Sequence, residues 1–286
     1  MRVVIATCRV LPEPDPDQAP LLSALNAAGV EARMLAWDDP AAPDPARFDA
    51  CVLRSTWNYY EDLPGFLRWA EGVAGVTRLE NPLSIVRWNC RKTYLAELAR
   101  RGVRIVPTEF VARGQRPDLG PITARLSGDL VIKPTVSASS FATRRFRPGE
   151  GDEARRYLHE LASERDVMVQ RYMPSVEGVG ERALVWIDGE LTHAVRKTPR
   201  FSGEDERVGD ALAISPEERA FALQVLRAVP DLELDALLYG RVDVVRDDED
   251  RPCVAELELI EPSLFLVQNP AAIARMVEGI VRRVRS

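Results

Sequence analysis

Residues 241–260 read RVDVVRDDEDRPCVAELELI. Two strand-like stretches, 241–246 and 253–260, flank an acidic turn of Asp247, Asp248, Glu249 and Asp250. Side chains alternate along a strand with period two. Asp243 therefore shares a face with Arg241, and Glu256 shares one with Glu258 and Ile260. A register that opposes Asp243 to Glu256 closes through the loop 247–252. It gathers three carboxylates on one side of a hairpin whose other side is Val242, Val244, Leu257 and Leu259. Like charges this close are unfavourable unless a cation sits among them. Carboxylate oxygens suit Mg2+, whose remaining ligands are commonly phosphate oxygens. The plainer alternative is a hairpin whose outer face is charged because water covers it.

Working outward, 286 residues can bury more than one simple core. The net charge of −6 is spread along the chain. No basic stripe of the kind that grips nucleic acid exists, and an acidic surface disfavours anionic lipid. No apolar run approaches the roughly 18 residues of a membrane span, and the opening MRVVIATCRV is too short for a signal-peptide core. Cys8, Cys51, Cys90 and Cys253 lie far apart and form no CxxC pair. They read as reduced thiols of a cytoplasmic protein, with no zinc site. The two histidines, His159 and His193, leave acid, base and charge chemistry to Asp, Glu, Lys and Arg.

The first 90 residues alternate strand and helix: strands at 3–6, 31–36 and 50–53, helices at 20–28 (stopped by Gly29) and 63–71. That alternation predicts a parallel, doubly wound sheet, whose ligands bind at the carboxyl ends of strands. Thr7, Cys8 and Arg9 fall there, as do Arg54, Ser55, Thr56, Trp57, Asn58 and Tyr59. A helix over 90–101, strands over 105–108, 130–133 and 167–171, and a helix over 152–164 make an α+β middle. The last third holds a first hairpin, 182–187 with 191–197, turned at Asp188 and Gly189. A polar loop at 199–210, a helix at 216–229, the acidic hairpin and an amphipathic helix at 270–284 follow. The last helix is expected to pack internally or against a second copy of the chain.

Several side chains are candidates for binding. Lys133 leaves an apolar strand for a loop of small residues (Ser137, Ala138, Ser139, Ser140) whose amides can cradle a phosphate. Lys92, placed in the first turn of its helix, gains nothing from the helix dipole, so an anionic ligand explains it better. Either lysine alone reads better as a surface residue. Gln170 ends a strand where backbone groups and an amide suit adenine, and Glu177 and Glu181 follow at a distance that suits ribose; alone, this is an ordinary loop. Arg196 and Lys197 end the first hairpin, facing a phosphate, a carboxylate or solvent. His193 falls on the opposite face from Arg196, which favours packing over proton transfer.

Taken in order, the Lys92 stretch, VIKPTVS, MVQRYMPSVEGVGER, the DGE hairpin ending in HAVRK, RVDVV and AELELIEP resemble the ATP-grasp superfamily and, within it, the glutathione-synthetase-like branch. RSTWNYY, ENPLSIVRWNCRKTYLAELA and ELELIEPSLFL resemble the O-ureido-serine cyclo-ligases that form cycloserine. The resemblance implies an α/β fold in three parts: an N-terminal doubly wound sheet domain (1–90), an α+β lid (91–172) and a C-terminal α+β sheet domain carrying the metal-binding hairpin (173–286). It implies that Lys92, Lys133, Ser137 and Ser139 meet the phosphates of ATP. Gln170, Arg171 and Tyr172 would line adenine, with Glu177 or Glu181 on ribose. Asp243, Glu256 and Glu258 would hold Mg2+, two ions, with Mn2+ as a substitute. Arg196 and Lys133 would steady the transferring phosphoryl group. Arg54, Ser55, Thr56, Trp57, Asn58 and Ser263, helped by Glu261, would hold small amino-acid-like carboxylate and amine substrates.

The implied activity is carboxylate–amine ligation through an acyl phosphate, within one molecule or between two. A kinase-type transfer to a hydroxyl and a non-catalytic nucleotide binder are the rivals; no acid beside Arg54 stands out as the base a kinase needs. Two departures from the family pattern are a serine-rich stretch at 137–140 where glycines are common, and a loop at 199–210 with only Gly203 and Gly209.

Overall fold

In the computed structural model, residues 1–198, 201 and 207–285 are described. β1 (Arg2–Thr7) runs parallel between β2 (Glu31–Ala36) and β3 (Ala50–Ser55), with β4 (Arg78–Glu80) outside β3. Alternate residues of these strands feed two cores. Val3, Ile5 and Val52 meet Leu21 and Leu25 of α1 (Gln18–Ala27), while Val4, Ala6 and Leu53 meet Phe66, Ala70 and Val73 of α2 (Leu63–Val76). Helices on both faces explain why β1 and β3 are apolar almost without interruption. This is the doubly wound sheet the alternation predicts.

The helix expected over 90–101 is two helices, α3 (Leu83–Asn89) and α4 (Tyr94–Arg100). Lys92 is therefore not in a first helical turn. It lies in the bend between them, and its backbone N–H donates to Thr135 O at 2.7 Å. The middle sheet is antiparallel, in the order β5 (Thr108–Val111), β8 (Val167–Arg171), β6 (Leu130–Pro134), β7 (Arg144–Phe146). It packs on α5 (Leu119–Leu126) and α6 (Gly151–Glu164). The expected strand over 105–108 divides: Ile105 bridges Val254 of the acidic hairpin, and β5 begins only at Thr108.

After α7 (Ser175–Gly178), the third sheet is also antiparallel: β10 (Glu190–Lys197), β9 (Glu181–Ile187), β11 (Tyr239–Arg246), β12 (Pro252–Glu258). Asp243 opposes Glu256 and Arg241 opposes Glu258, the expected register. A bulge between Asp243 and Val244 then pairs Val244 with Val254 and Arg246 with Pro252, shortening the turn. α8 (Pro216–Arg227) covers one face of this sheet. α9 (Pro270–Arg285) covers the other, with Met276, Val277 and Ile280 joining Leu21, Leu25, Val185 and Ile187 in one core. Its apolar side is thus used internally. No helix among the described residues is long and apolar enough to cross a membrane, and all four cysteines are buried and free.

β12 lies at a sheet edge, so the chain beyond Val254 needs other partners for its backbone. Side chains from the N-terminal third supply most of them. Leu257 N–H donates to the Tyr94 hydroxyl at 2.9 Å, and Asn89 Nδ2 donates to Leu257 O at 2.9 Å while its Oδ1 accepts from Leu259 N–H at 2.8 Å. Asn81 Nδ2 donates to Leu259 O and to Tyr239 O, both at 2.8 Å, and its Oδ1 accepts from Leu238 N–H at 2.9 Å. Trp57 Nε1 donates to Glu261 O and Arg54 Nη1 to Pro262 O. Asp17 accepts from Leu264 and Leu266 N–H.

Asn81→Ala strands three of these buried backbone groups and is expected to cost roughly 3 kcal/mol of unfolding free energy. Urea titration reads the loss, with the exposed Asn26→Ala as a control expected within about 0.5 kcal/mol of the parent.

Candidate active site

The three sheets meet around a cavity of about 220 Å3. β12 brings Glu256 and Glu258 to it, the segment beyond brings Glu261 and Ser263, and β9 and β10 bring Glu181 and Lys197. The middle sheet adds Lys133, the loop after it and Gln170; the N-terminal domain adds Glu13, Trp57 and Tyr59. The charges form a ladder. Arg241 donates Nε to Asp243 Oδ1 at 2.7 Å and Nη2 to Asp243 Oδ2 at 2.8 Å, and it also bonds Glu258. Lys197 Nζ joins Asp243 at 2.9 Å to Glu181 at 2.7 Å. Lys133 bonds Glu256, and Lys92 Nζ lies 3.7 Å from the same carboxylate while donating to Ser137 O at 3.0 Å.

These partners set the protonation of the site. Burial alone would raise Asp243, but Arg241 and then Lys197 outweigh it and hold the carboxyl at about 2. Burial likewise opposes ionisation of Glu256, yet Lys133 and Lys92 keep it well below the usual range. Glu258 is shifted up by burial, against the pull of Arg241, and Glu181 by burial against Lys197. Glu261 is pushed up to about 8 by burial and by the nearby Glu258.

Of the expected nucleotide contacts, Lys92, Lys133, Ser137, Ser139, Gln170, Arg171, Tyr172 and Glu181 line the cavity. Glu177 does not; its carboxylate is held outside by Arg145 at 2.9 Å and the Tyr172 hydroxyl at 3.1 Å. Arg196 is the second correction. Its guanidinium bonds Gly178 O, away from the cavity, and the cation that points inward is Lys197. Neighbours on a strand face opposite ways, and a bulge between Leu191 and His193 complicates counting along β10. His193 is buried, with its ring Nε2 3.2 Å from Phe265 O, the packing role its face suggested.

Among the expected substrate contacts, Trp57 and Ser263 line the cavity. Arg54, Ser55, Thr56 and Asn58 do not. Arg54 is consumed by Pro262 O and Asp17, Ser55 by the Thr7 hydroxyl, and Asn58 by Asp38 and Trp37; Thr56 is fully buried. Arg54 thereby ties the N-terminal domain to the segment after β12, while Ser55 and Asn58 bond within the N-terminal domain. Tyr59, at the carboxyl end of β3, also lines the cavity, as do residues the pattern did not single out, Glu13, Asn89, Tyr94 and Thr143. Glu13 sits in a Pro- and Asp-rich loop that carries no signal of its own.

The serine-rich loop takes left-handed backbone at Ser139 (φ 48°), Ser140 (55°) and Ala142 (52°), conformations that glycine adopts without penalty. It is tied to the N-terminal domain by Ser139 Oγ donating to Glu13 at 2.8 Å and by stacking of Phe141 on Tyr60, with ring centroids 4.6 Å apart. The closing role expected of 199–210 falls partly on residues outside the described ones, Gly203 among them. Within those described, Thr198 and Phe201 line the cavity and Val208 pairs with Lys197.

The donor set tests the expected metal. Glu256 and Glu258 present hard oxygens to the cavity, the chemistry Mg2+ takes. Asp243 is not a cavity-lining residue, and both its oxygens accept from Arg241, so the expected grip of three carboxylates reduces here to two. Among the described residues no group of three Asp, Glu, His or Cys is arranged to hold an ion by itself. Two glutamates fit Mg2+ whose other ligands are phosphate and water.

Residues 3–81 match the family described as the N-terminal domain of D-cycloserine synthetase DcsG. The chain is 34% identical to the cycloserine biosynthesis protein DcsG of Streptomyces lavendulae over 290 aligned positions, 95% of each chain. The crystal structure of D-cycloserine synthetase DcsG superposes with a TM-score of 0.88 at 33% identity, covering 99% of this chain and 100% of that one. D-alanine–D-alanine ligase of Bacillus anthracis, complexed with ATP, shares the fold at a TM-score of 0.69 and 17% identity, over 99% and 97% of the two chains.

Lys197→Met is expected to weaken binding of Mg2+–ADP by roughly tenfold or more, and Arg196→Met by no more than about threefold, in titration calorimetry. The Asp243 carboxylate, held at about 2 against an ordinary 3.8, contributes stability that is complete above pH about 4 and lost as pH falls through about 2. The stability difference between parent and Asp243→Asn, read by chemical denaturation, should shrink over that window.

Proposed function

This chain belongs to the DcsG family of ATP-grasp ligases, and we propose that it closes a small amino-acid-derived ring, with O-ureidoserine as the substrate type. As an ATP-dependent carboxylate–amine ligase it must make a carboxylate electrophilic, since oxide is a poor leaving group. A substrate carboxylate oxygen attacks the γ-phosphorus of ATP, ADP leaves, and an acyl phosphate results. A nitrogen of the same molecule then attacks the acyl carbon, phosphate leaves, and the nitrogen gives up a proton. The observation that carries this reading is the cavity-facing Glu256, neutralised by Lys133 and Lys92 rather than by a structural arginine.

Lys133 and Lys92 are positioned to turn from Glu256 to phosphate oxygens, exchanging one anion for another in a site of low dielectric. Glu256 and Glu258 would hold Mg2+, whose charge would neutralise the phosphates; their four carboxylate oxygens suffice for two ions if nucleotide and water complete each shell. Lys197 adds positive charge beside them, in the role expected of Arg196. Glu181 is the ribose candidate, since Glu177 lies outside. The loop over 137–143 covers the phosphates and, bonded to Glu13 and stacked on Tyr60, excludes water that would hydrolyse the acyl phosphate. A ring closure holds both reacting groups in one molecule, at high effective molarity.

Phosphate release from ATP with O-ureidoserine, together with mass detection of the ring product, tests the assignment; ADP with a phosphorylated acceptor, and neither free phosphate nor ring, would instead support a phosphotransferase. Glu256→Gln is expected to lower Mg2+-dependent release by at least about a hundredfold with the fold intact. Near-normal turnover would remove Glu256 from the metal site.

A further inference from the structure

The geometry points to Glu261 as the subsite that receives the amino group of the substrate as its ammonium ion. Glu261 is 9% exposed and lines the cavity, as do Trp57 and Tyr59. The Tyr59 hydroxyl lies near enough to favour its ionised form, against the larger effect of burial. The other cavity carboxylates on β9 and β12 each have a cation: Glu181 has Lys197, Glu256 has Lys133, and Glu258 has Arg241. Glu261 has no ion pair among the described residues, although Lys92 and Arg241 reach it electrostatically. Burial without a paired cation disfavours the ionised carboxylate, and a ligand that brings a cation favours it.

Glu261 is also rigidly placed. Its own carbonyl accepts from Trp57 Nε1 at 2.8 Å, the next carbonyl accepts from Arg54 at 2.7 Å, and Asp17 holds Leu264 and Leu266 N–H at 3.0 and 2.7 Å. Such fixing of the backbone that carries a charged side chain suits recognition. Lys133 and Lys92 mark the part of the cavity where a carboxylate meets phosphate. An amino acid therefore fits with its ammonium on Glu261 and its carboxylate directed toward those lysines. This placement rests on the ligase reading above and adds the group that selects an amino acid over other carboxylates.

The test compares D-cycloserine with isoxazolidin-3-one, the same ring without the amino group, binding to the full chain with ADP and Mg2+ in calorimetry. The parent protein is expected to prefer D-cycloserine by roughly tenfold or more, and Glu261→Gln to erase that preference at unchanged ADP affinity and melting temperature. Glu261→Asp should restore part of it. A parent protein with no preference, or a Glu261→Gln variant that keeps it, overturns the assignment, and the parent comparison decides even if a variant fails to fold. Phosphate release with O-ureidoserine is read in parallel. Preference without ring formation sinks the ligase reading and leaves the ammonium site standing; ring formation without preference does the reverse.

Discussion

The backbone beyond Val254 runs along a sheet edge that no full strand covers, and buried peptide groups there must find partners or forfeit stability. Tyr94, Asn89, Asn81, Tyr239, Trp57, Arg54 and Asp17 meet that demand one peptide after another, from Leu257 to Leu266. Asparagine serves well because its amide offers a donor and an acceptor in the same arrangement as a peptide. The strand that carries Glu256 and Glu258 is thereby fixed against the N-terminal domain, and the segment with Glu261 and Ser263 is fixed in turn. Cavity and frame share Trp57, which lines the one and holds a carbonyl of the other with its ring nitrogen.

Against that frame stands a face dense in carboxylates. Arg241 makes it tolerable, since its planar guanidinium serves Asp243 through two nitrogens and still reaches Glu258. A lysine, with a single point charge, does not offer that fork. Lys197 and Lys133 neutralise the remainder. Lys92, Lys133, Lys197 and Arg241 each meet a carboxylate, so a polyphosphate with its metal would exchange partners within charges that are already largely paired. A site organised this way pays its desolvation penalty largely during folding.

Much of this was legible before any coordinates. The opposition of Asp243 to Glu256 followed from period two and turn length, and the doubly wound sheet followed from alternating apolar strands and helices, because both patterns depend on residues close in sequence. Lys92 lines the cavity, but not from a helix: the 90–101 stretch has helical composition throughout, and only the tertiary contact of Lys92 N–H with Thr135 O accompanies the break at 91–93. Arg196 was preferred to Lys197 because nothing local says which of two adjacent cations on a strand faces inward.

The sequence by itself determined the fold class, the order of the sheets and the hairpin that gathers the acids, since short-range periodicity and turn chemistry dictate those. Tertiary structure alone decided that Asp243 is claimed by Arg241, that Arg54 and Asn58 bind protein, and that Glu261 stands in the cavity without an ion-pair partner among the described residues. Such outcomes depend on which groups from distant segments share one small, dry volume. There, each charge takes whatever counter-charge the packing brings within reach.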